Sequence, residues 1–209
     1  MRIISGKKRG MKLLPPKGSD TRPVTDRVKE SLFSVLYKYD VIDGGVVCDL
    51  FCGTGSMGLE ALSRGARWVT FVEMDRSAVG LLNRNIERGG FVGESRVICA
   101  NAWKIGAPVD EACGKYGLVF VDPPYKMSYD TSLDSQLGRL LCELSEQIKD
   151  DGVVVVRTSK RAVLLGEYGQ LEVIDRRQWG TQAVALLRPR GTGEDDQQGI
   201  GNQGDQTAS

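Results

Sequence analysis

A chain of 209 residues, 41% hydrophobic and 26% charged, has the make-up of one soluble globular domain that can bury a sizeable core. It contains no histidine, which excludes Ser-His-Asp and Cys-His catalysis and histidine-ligated metals. The net charge of +1 hides a segregation: residues 1–39 carry ten Lys or Arg against three acids, and residues 191–209 carry four acids and no base.

The basic amino end suits a polyanionic partner, although a solvated surface with no partner has the same charge. Five cysteines, Cys48, Cys52, Cys99, Cys113 and Cys142, include no C-x-x-C pair, so neither a disulfide framework nor a zinc site is expected. No apolar run approaches the roughly 20 residues that span a bilayer. No signal-peptide core follows the basic start, so a cytoplasmic protein with no membrane and no metal is expected.

Residues 1–23, rich in Lys, Gly and Pro, read as loop or short strand. Val28, Leu32, Val35, Leu36 and Tyr39 recur at helical spacing and predict a helix over 26–39. Thr25 stands at its N-cap position and Asp26 in its first turn. From residue 46 buried strands alternate with helices: strands at 46–51, 68–73, 96–100 and 117–122, helices at 57–64 and 76–87. A long helix at 133–149 and a strand at 153–157 follow. Segments 171–177 and 183–187 are expected to pair antiparallel. Continuous apolar strands alternating with helices mean an α/β fold with a parallel central sheet. The tail 191–209 lacks the apolar residues that would offset its ordering entropy and is expected to be disordered.

Two motifs carry chemistry. In DLFCGTGSMG a buried strand ends at Asp49–Phe51, and Gly53, Gly55 and Gly58 match G-x-G-x-x-G before a helix. Such glycines let the backbone turn sharply and approach a ligand. Glu73, twenty residues after Gly53, ends the next strand, where a carboxylate can accept from a ribose diol. Together these point to an adenosine-containing cofactor, without separating nicotinamide dinucleotide from S-adenosylmethionine.

The second motif, Asp122-Pro123-Pro124-Tyr125, directly follows the fourth strand. Ligands of open α/β sheets sit beyond the strands' carboxyl ends, and the first and fourth strands are expected to be neighbours. Two prolines make a stiff turn with no backbone donors, so their carbonyls and Asp122 are pure acceptors. Acceptors on the hydrogens of an exocyclic base amine free its lone pair for in-line attack on a sulfonium methyl. Tyr125 offers a face on which the base can stack, worth about 1–3 kcal/mol in single-strand binding sites. A nicotinamide oxidoreductase has no use for this tetrapeptide. A DNA adenine-N6 methyltransferase and a protein-glutamine methyltransferase share its logic. A catalytically inactive RNA-binding protein is the remaining alternative.

The order DLFCGTG, FVE, DPPY resembles the class I methyltransferases of amino nitrogens. The amino end, MRIISGKKRGMKLLPP followed by RPVTDRVKESLFSVL, is similar to the bacterial 16S ribosomal RNA guanine-N2 methyltransferase family that acts on guanine 966. The resemblance runs over residues 1–188. It implies a Rossmann-like, seven-stranded, mostly parallel sheet with one antiparallel strand. It also implies a basic arm and helix over 1–40, a cofactor domain over 41–190, and 16S rRNA as substrate, in a 30S subunit or an assembly intermediate. The cofactor it implies is S-adenosylmethionine. The resemblance then places Asp49, Gly53 and Gly55 around its methionine part, Glu73 at its ribose and Asn101 at its adenine, with Phe51 and Ala102 also among the cofactor-binding residues. Asp122, Pro123, Pro124 and Tyr125 hold the guanine amine, with Asp122 also bordering the cofactor. Arg22, Thr25 and Arg27 close over cofactor or target, and Lys7, Lys8 and Arg9 meet RNA phosphates, which give affinity without sequence information. WGTQAVALL resembles the family's closing strand. The chain departs from the family pattern at Asn101, where Asp is usual, at Cys52 for Ala, at Trp179 for Tyr, and at Arg157, where the fifth strand usually ends in Glu.

Overall fold

The computed structural model describes residues 1–15, 25–109 and 114–191. Eight strands form one sheet: β1 (Val46–Leu50), β2 (Trp68–Glu73), β3 (Ser95–Cys99), β4 (Tyr116–Val121), β5 (Ile148–Ser159), β6 (Glu167–Tyr168), β7 (Leu171–Trp179) and β8 (Gln182–Pro189). Their order across the sheet is β3-β2-β1-β4-β5-β8-β7-β6. The first five in that order are parallel, and β8 runs antiparallel between β5 and β7. The helices are α1 (Asp26–Leu36), α2 (Ser56–Ser63), α3 (Arg76–Gly89), α4 (Ala102–Ile105) and α5 (Gln136–Gln147). None of the helices among the described residues is long and apolar enough to cross a membrane.

The central strands are apolar throughout because both faces of the sheet are covered; β1 and β4 are buried along their whole length. Their period of two divides the interior into two cores. Val47, Leu118, Phe120 and Val155 face α1, α2 and α3, meeting Leu32, Leu59 and Ile86. Cys48, Leu50, Val119 and Val154 face the other way, onto Leu137, Leu141 and Leu144 of α5.

The sheet has eight strands where seven were expected. The additional one is β6, two residues that pair with Glu172 and Leu171, too few to carry a periodic signal. The helix expected over 26–39 is α-helical only to Leu36. Tyr37–Tyr39 tighten into a 3-10 turn, and Asp40 ends it at φ 52°. The long helix expected over 133–149 begins later, because Ser135 caps it by accepting from Gly138 N at 3.0 Å. It runs straight into β5, which is 12 residues long.

The amino-terminal arm is built into the fold. Arg2 bridges Lys12 antiparallel, and Ile3 and Leu13 are buried in the α1–α2–α3 core. Glu60 of α2 fastens it: Oε2 accepts from Ile4 N at 2.8 Å and Oε1 from Ser5 N at 3.0 Å. Glu60 also pairs with Lys29 of α1 at 3.1 Å and Arg64 at 2.8 Å, and Lys29 and Glu60 are both buried. Burial pushes the Lys29 pKa down, against the pull of Glu60. At Gly6 the backbone lies so close to α2 that an added Cβ would sit 1.8 Å from the Ser63 carbonyl, and its φ of +79° already favours glycine.

Candidate active site

The strand register places both motifs on one edge of the sheet. Leu50 is level with Val72 of β2 and Val121 of β4, and Glu73 with Cys99 of β3. Asp49, Phe51–Gly55, Glu73, Asn101, Ala102 and Asp122 therefore all lie at or just beyond the carboxyl ends of β1, β2, β3 and β4. The order reverses at this edge, since β1 leads outward to β2 while β4 lies on its other side. Such a switch point is where open α/β sheets hold their ligands.

The turn after β1 is tight. Phe51 takes a left-handed φ of 57°, and Gly53 and Gly55 follow at 55° and 85°. Gly55 heads α2 beneath Leu82 of α3; an added Cβ there would meet Leu82 Cδ1 at 2.4 Å. Glu73 fixes the loop from the side: its Oε2 accepts from Gly53 N at 2.8 Å and its Oε1 from Asp75 N at 2.9 Å. Each carboxylate oxygen keeps lone-pair capacity for a further donor. Asp49 is buried beneath the loop and accepts from Gly58 N at 2.8 Å. Burial pushes its carboxyl up to about 7, the Gly58 hydrogen bond opposes this, and Asp122 and Glu73 add to it. Asn101 caps α4, its Oδ1 accepting from Trp103 N at 3.0 Å, and Ala102 is buried as the first residue of that helix. The Phe51 and Trp103 rings pack 4.6 Å apart at a 55° tilt, forming an aromatic wall between the glycine loop and α4.

Asp122 N is 3.4 Å from the Leu50 carbonyl, so the second motif starts beside the first. Pro123 is buried and Pro124 exposed. The chain then makes a 3-10 turn over Tyr125–Met127, closed by Met127 N on the Pro124 carbonyl at 2.9 Å. The Tyr125 side chain lies outside the described residues. The Asp122 carboxylate is gripped by Arg157 of β5: Nε donates to Oδ1 at 2.7 Å, and the Nη2 group donates to Oδ2. Arg157 Nη1 donates in turn to Gln182 Oε1 of β8 at 3.1 Å.

Among the described residues, those expected to meet RNA lie on the arm and at the start of α1. Lys7 N and Lys8 N bind the Ser63 carbonyl and hydroxyl at 2.7 and 2.9 Å, at the end of α2 away from the glycine loop. Eight helical residues span about 12 Å. Lys7 pairs with Glu94 at 2.7 Å and lies over the Phe91 ring at 5.1 Å. Lys8 and Arg9 are exposed. Arg9 lines a cleft of about 360 Å³ with Arg2, Ser5, Glu30, Ser34 and Arg64. Thr25 caps α1, its hydroxyl accepting from Val28 N at 3.4 Å, and Arg27 is exposed. Arg22 and Cys113, like residues 192–209 of the tail, lie outside the described residues.

Two groups escaped the sequence reading. The Lys29–Glu60–Arg64 knot is signalled only by a glutamate inside the apolar helix MGLEALS. The partner of Arg157 could not be inferred, because Asp122 and Arg157 are 35 residues apart and meet only when β4 and β5 pair.

A parallel half ordered β3-β2-β1-β4-β5, continued by an antiparallel β8, with a glycine loop, a carboxylate ending β2 and Asp-Pro-Pro-Tyr ending β4, defines an S-adenosylmethionine-dependent class I methyltransferase. The fold is shared with an S-adenosylmethionine-dependent methyltransferase from Clostridium acetobutylicum at a TM-score of 0.61 and 13% identity, over 78% of this chain and 91% of that one. The chain belongs to the family described as conserved hypothetical protein 95, whose model matches residues 1–188. Its relatives include YlbH of Bacillus subtilis, named provisionally as an rRNA methyltransferase, 34% identical over 91% of this chain and 100% of that protein. The ribosomal RNA small subunit methyltransferase D of Escherichia coli is 41% identical over 126 residues, 60% of this chain and 61% of that protein. The solved structure of the Escherichia coli protein yhhF, described provisionally as a methyltransferase, superposes at a TM-score of 0.73 with 32% identity, over 90% of this chain and 97% of that one. The family resemblance drawn from the amino end and the two motifs is thereby borne out.

Proposed function

We propose that this protein methylates the exocyclic N2 of one guanine, of the 966 type, in 16S ribosomal RNA, and that its substrate is a 30S subunit or an assembly intermediate of it. The observation that carries the reading is Asp122-Pro123-Pro124-Tyr125 at the end of β4, alongside the glycine loop. The names of the relatives support the choice of small-subunit rRNA.

The residues fit the cofactor part by part. The Glu73 oxygens, each already anchored by one backbone N–H, offer acceptors to a ribose diol. The φ angles of Gly53 and Gly55 hold the backbone where a methionine moiety can approach, above Asp49. Phe51, Trp103 and Ala102 give apolar surface for an adenine, and Asn101 a polar group at its rim. S-adenosylmethionine supplies an electrophilic methyl on a sulfonium, so the chain needs neither a metal nor a histidine for the transfer.

The chain's own task is positioning. Asp122 and the Pro123 carbonyl accept from the two N–H bonds of the guanine amine and aim its lone pair. The nitrogen–carbon bond forms as the sulfur–carbon bond breaks, and positive charge develops on nitrogen beside the Asp122 carboxylate. The extra proton on nitrogen leaves to solvent. Tyr125 stacks on the base, which must be turned out of its own stack at a cost of a few kcal/mol. Lys8, Arg9 and Arg27 supply phosphate contacts, and Lys7 joins them by exchanging Glu94 for a phosphate.

Labelled S-adenosylmethionine offered with 30S subunits, free 16S RNA and DNA in parallel tests this. The expected result is label on RNA with the parent protein and none with Asp122→Ala, while the variant still binds the cofactor. Label on DNA adenine would replace the reading with that of a DNA adenine-N6 enzyme. Full transfer by Asp122→Ala would end the Asp122 mechanism.

A further inference from the structure

Arg157 has no role in the positioning just described, yet its guanidinium occupies the Asp122 carboxylate. It donates to both carboxylate oxygens and, from its remaining nitrogen, to Gln182 Oε1 at 3.1 Å. The Asp122 and Arg157 side chains are only 22% and 13% exposed, and Gln182 is buried. A two-pronged guanidinium–carboxylate pair fixes direction as well as distance, which a lysine cannot do. The anchors come from three strands: Asp122 directly follows β4, β5 carries Arg157, and Gln182 opens β8 directly after the Gly180–Thr181 turn. Antiparallel register sets Ser159 opposite Gln182 and Arg157 opposite Val184, so Gln182 is two residues diagonal from Arg157 and within its reach.

We propose that Arg157 is a positioning residue for the methyl-transfer site: held by Gln182, it locks the Asp122 carboxylate in one orientation, so that the lone pairs it leaves free face the target amine. This rests on Asp122 being the acceptor for that amine. A carboxylate has about four lone-pair sites, and two guanidinium bonds leave two of them. Arg157 also compensates the Asp122 charge next to two further carboxylates, Asp49 and Glu73; Asp122, Glu73 and Arg157 all act on the Asp49 carboxyl. Without Arg157 the Asp122 side chain is free to rotate away and its charge loses its counter-ion. The turn before β8 thereby acquires a function, since it places the glutamine on which the arginine rests.

A double-mutant cycle separates action through Asp122 from a structural role. Arg157→Ala lowers kcat by about 100-fold, as expected for a reacting group displaced by an ångström, while the S-adenosylmethionine dissociation constant stays at the parent value. In the Asp122→Asn background, whose neutral amide has no charge to compensate, the same substitution costs several-fold less. Arg157→Lys keeps the charge and loses the fork, and its kcat falls between parent and Arg157→Ala. Gln182→Met cuts only the far anchor and gives a smaller kcat loss, again reduced in the Asp122→Asn background. These two conservative variants also carry the test if Arg157→Ala does not fold, as judged by thermal unfolding. Parent-like kcat in Arg157→Lys and Arg157→Ala, or equal losses in the two backgrounds, would overturn the role of Arg157 and leave the Asp122 mechanism standing. Undiminished transfer by Asp122→Asn with Arg157 intact, together with undiminished transfer by Asp122→Ala, would overturn both.

Discussion

Asp49 shows how a single residue ties the site to pH. It is buried among carboxylates, and burial raises its pKa to about 7 from 3.8. Between these values the folded protein holds a proton that the unfolded chain has lost, so stability falls as pH rises through this window. The contribution of Asp49 is fully present below about pH 3.8 and gone above about pH 7, and at 1.36 kcal/mol per pKa unit it is on the order of 4 kcal/mol. Asp49→Asn, which keeps an acceptor for Gly58 N, removes this dependence. Urea unfolding at pH 5 and pH 8 should show the parent losing stability relative to the variant at the higher pH. A constant difference would mean that Asp49 titrates normally. Most candidate site residues were legible in the sequence because they stand out against an apolar strand: Glu73 and Asp122 close buried runs, and Asp49 is a charge inside one. Arg157 also ends such a run, and its residue type was visible, but its partner was not, since contact between β4 and β5 is a property of the assembled sheet.

The arm and α2 are held together by one buried knot of charges. Glu60 gathers two backbone donors of the arm with Lys29 and Arg64. Breaking a buried ion pair from one side leaves an uncompensated charge, a loss of about 3–5 kcal/mol. Glu60→Ala is therefore expected to lower stability by that amount in urea unfolding and to release the arm from α2. A loss below about 1 kcal/mol, the range of surface pairs, would show that the knot is not a major anchor. On the arm's outer face Lys8 and Arg9 remain exposed. Replacing both with Ala should weaken RNA binding similarly for all sequences and reduce the slope of log affinity against log salt by roughly 2, about one for each phosphate no longer neutralised. An unchanged slope would remove them from the RNA interface. The sequence indicated the arm's charge and its lack of helix. It did not indicate the docking, because Ile3, Leu13 and Gly6 acquire meaning only against α2 and Ser63. Short elements were missed for a related reason: β6 and α4 have 2 and 4 residues, about one period of their pattern and too few to show a repeat.

The whole molecule is organised by the reversal of strand order between β1 and β4. Two motifs about 70 residues apart in the chain meet because the chain returns to the opposite side of β1 after β3. This was legible in advance: the strands were continuous, their spacing regular, and α/β connections have one hand and end at one edge. The same edge carries the acidic side chains Asp49, Glu73 and Asp122 with the Arg157 guanidinium, and an acidic edge suits a cofactor that carries a positive sulfonium. The most direct test of this account is the identity of the modified nucleoside. RNA labelled by the protein from S-adenosylmethionine is digested to nucleosides and the label located by mass. The expected product is N2-methylguanosine, at a single position of small-subunit rRNA. Label on a ring nitrogen, on a ribose oxygen or on another base would contradict it.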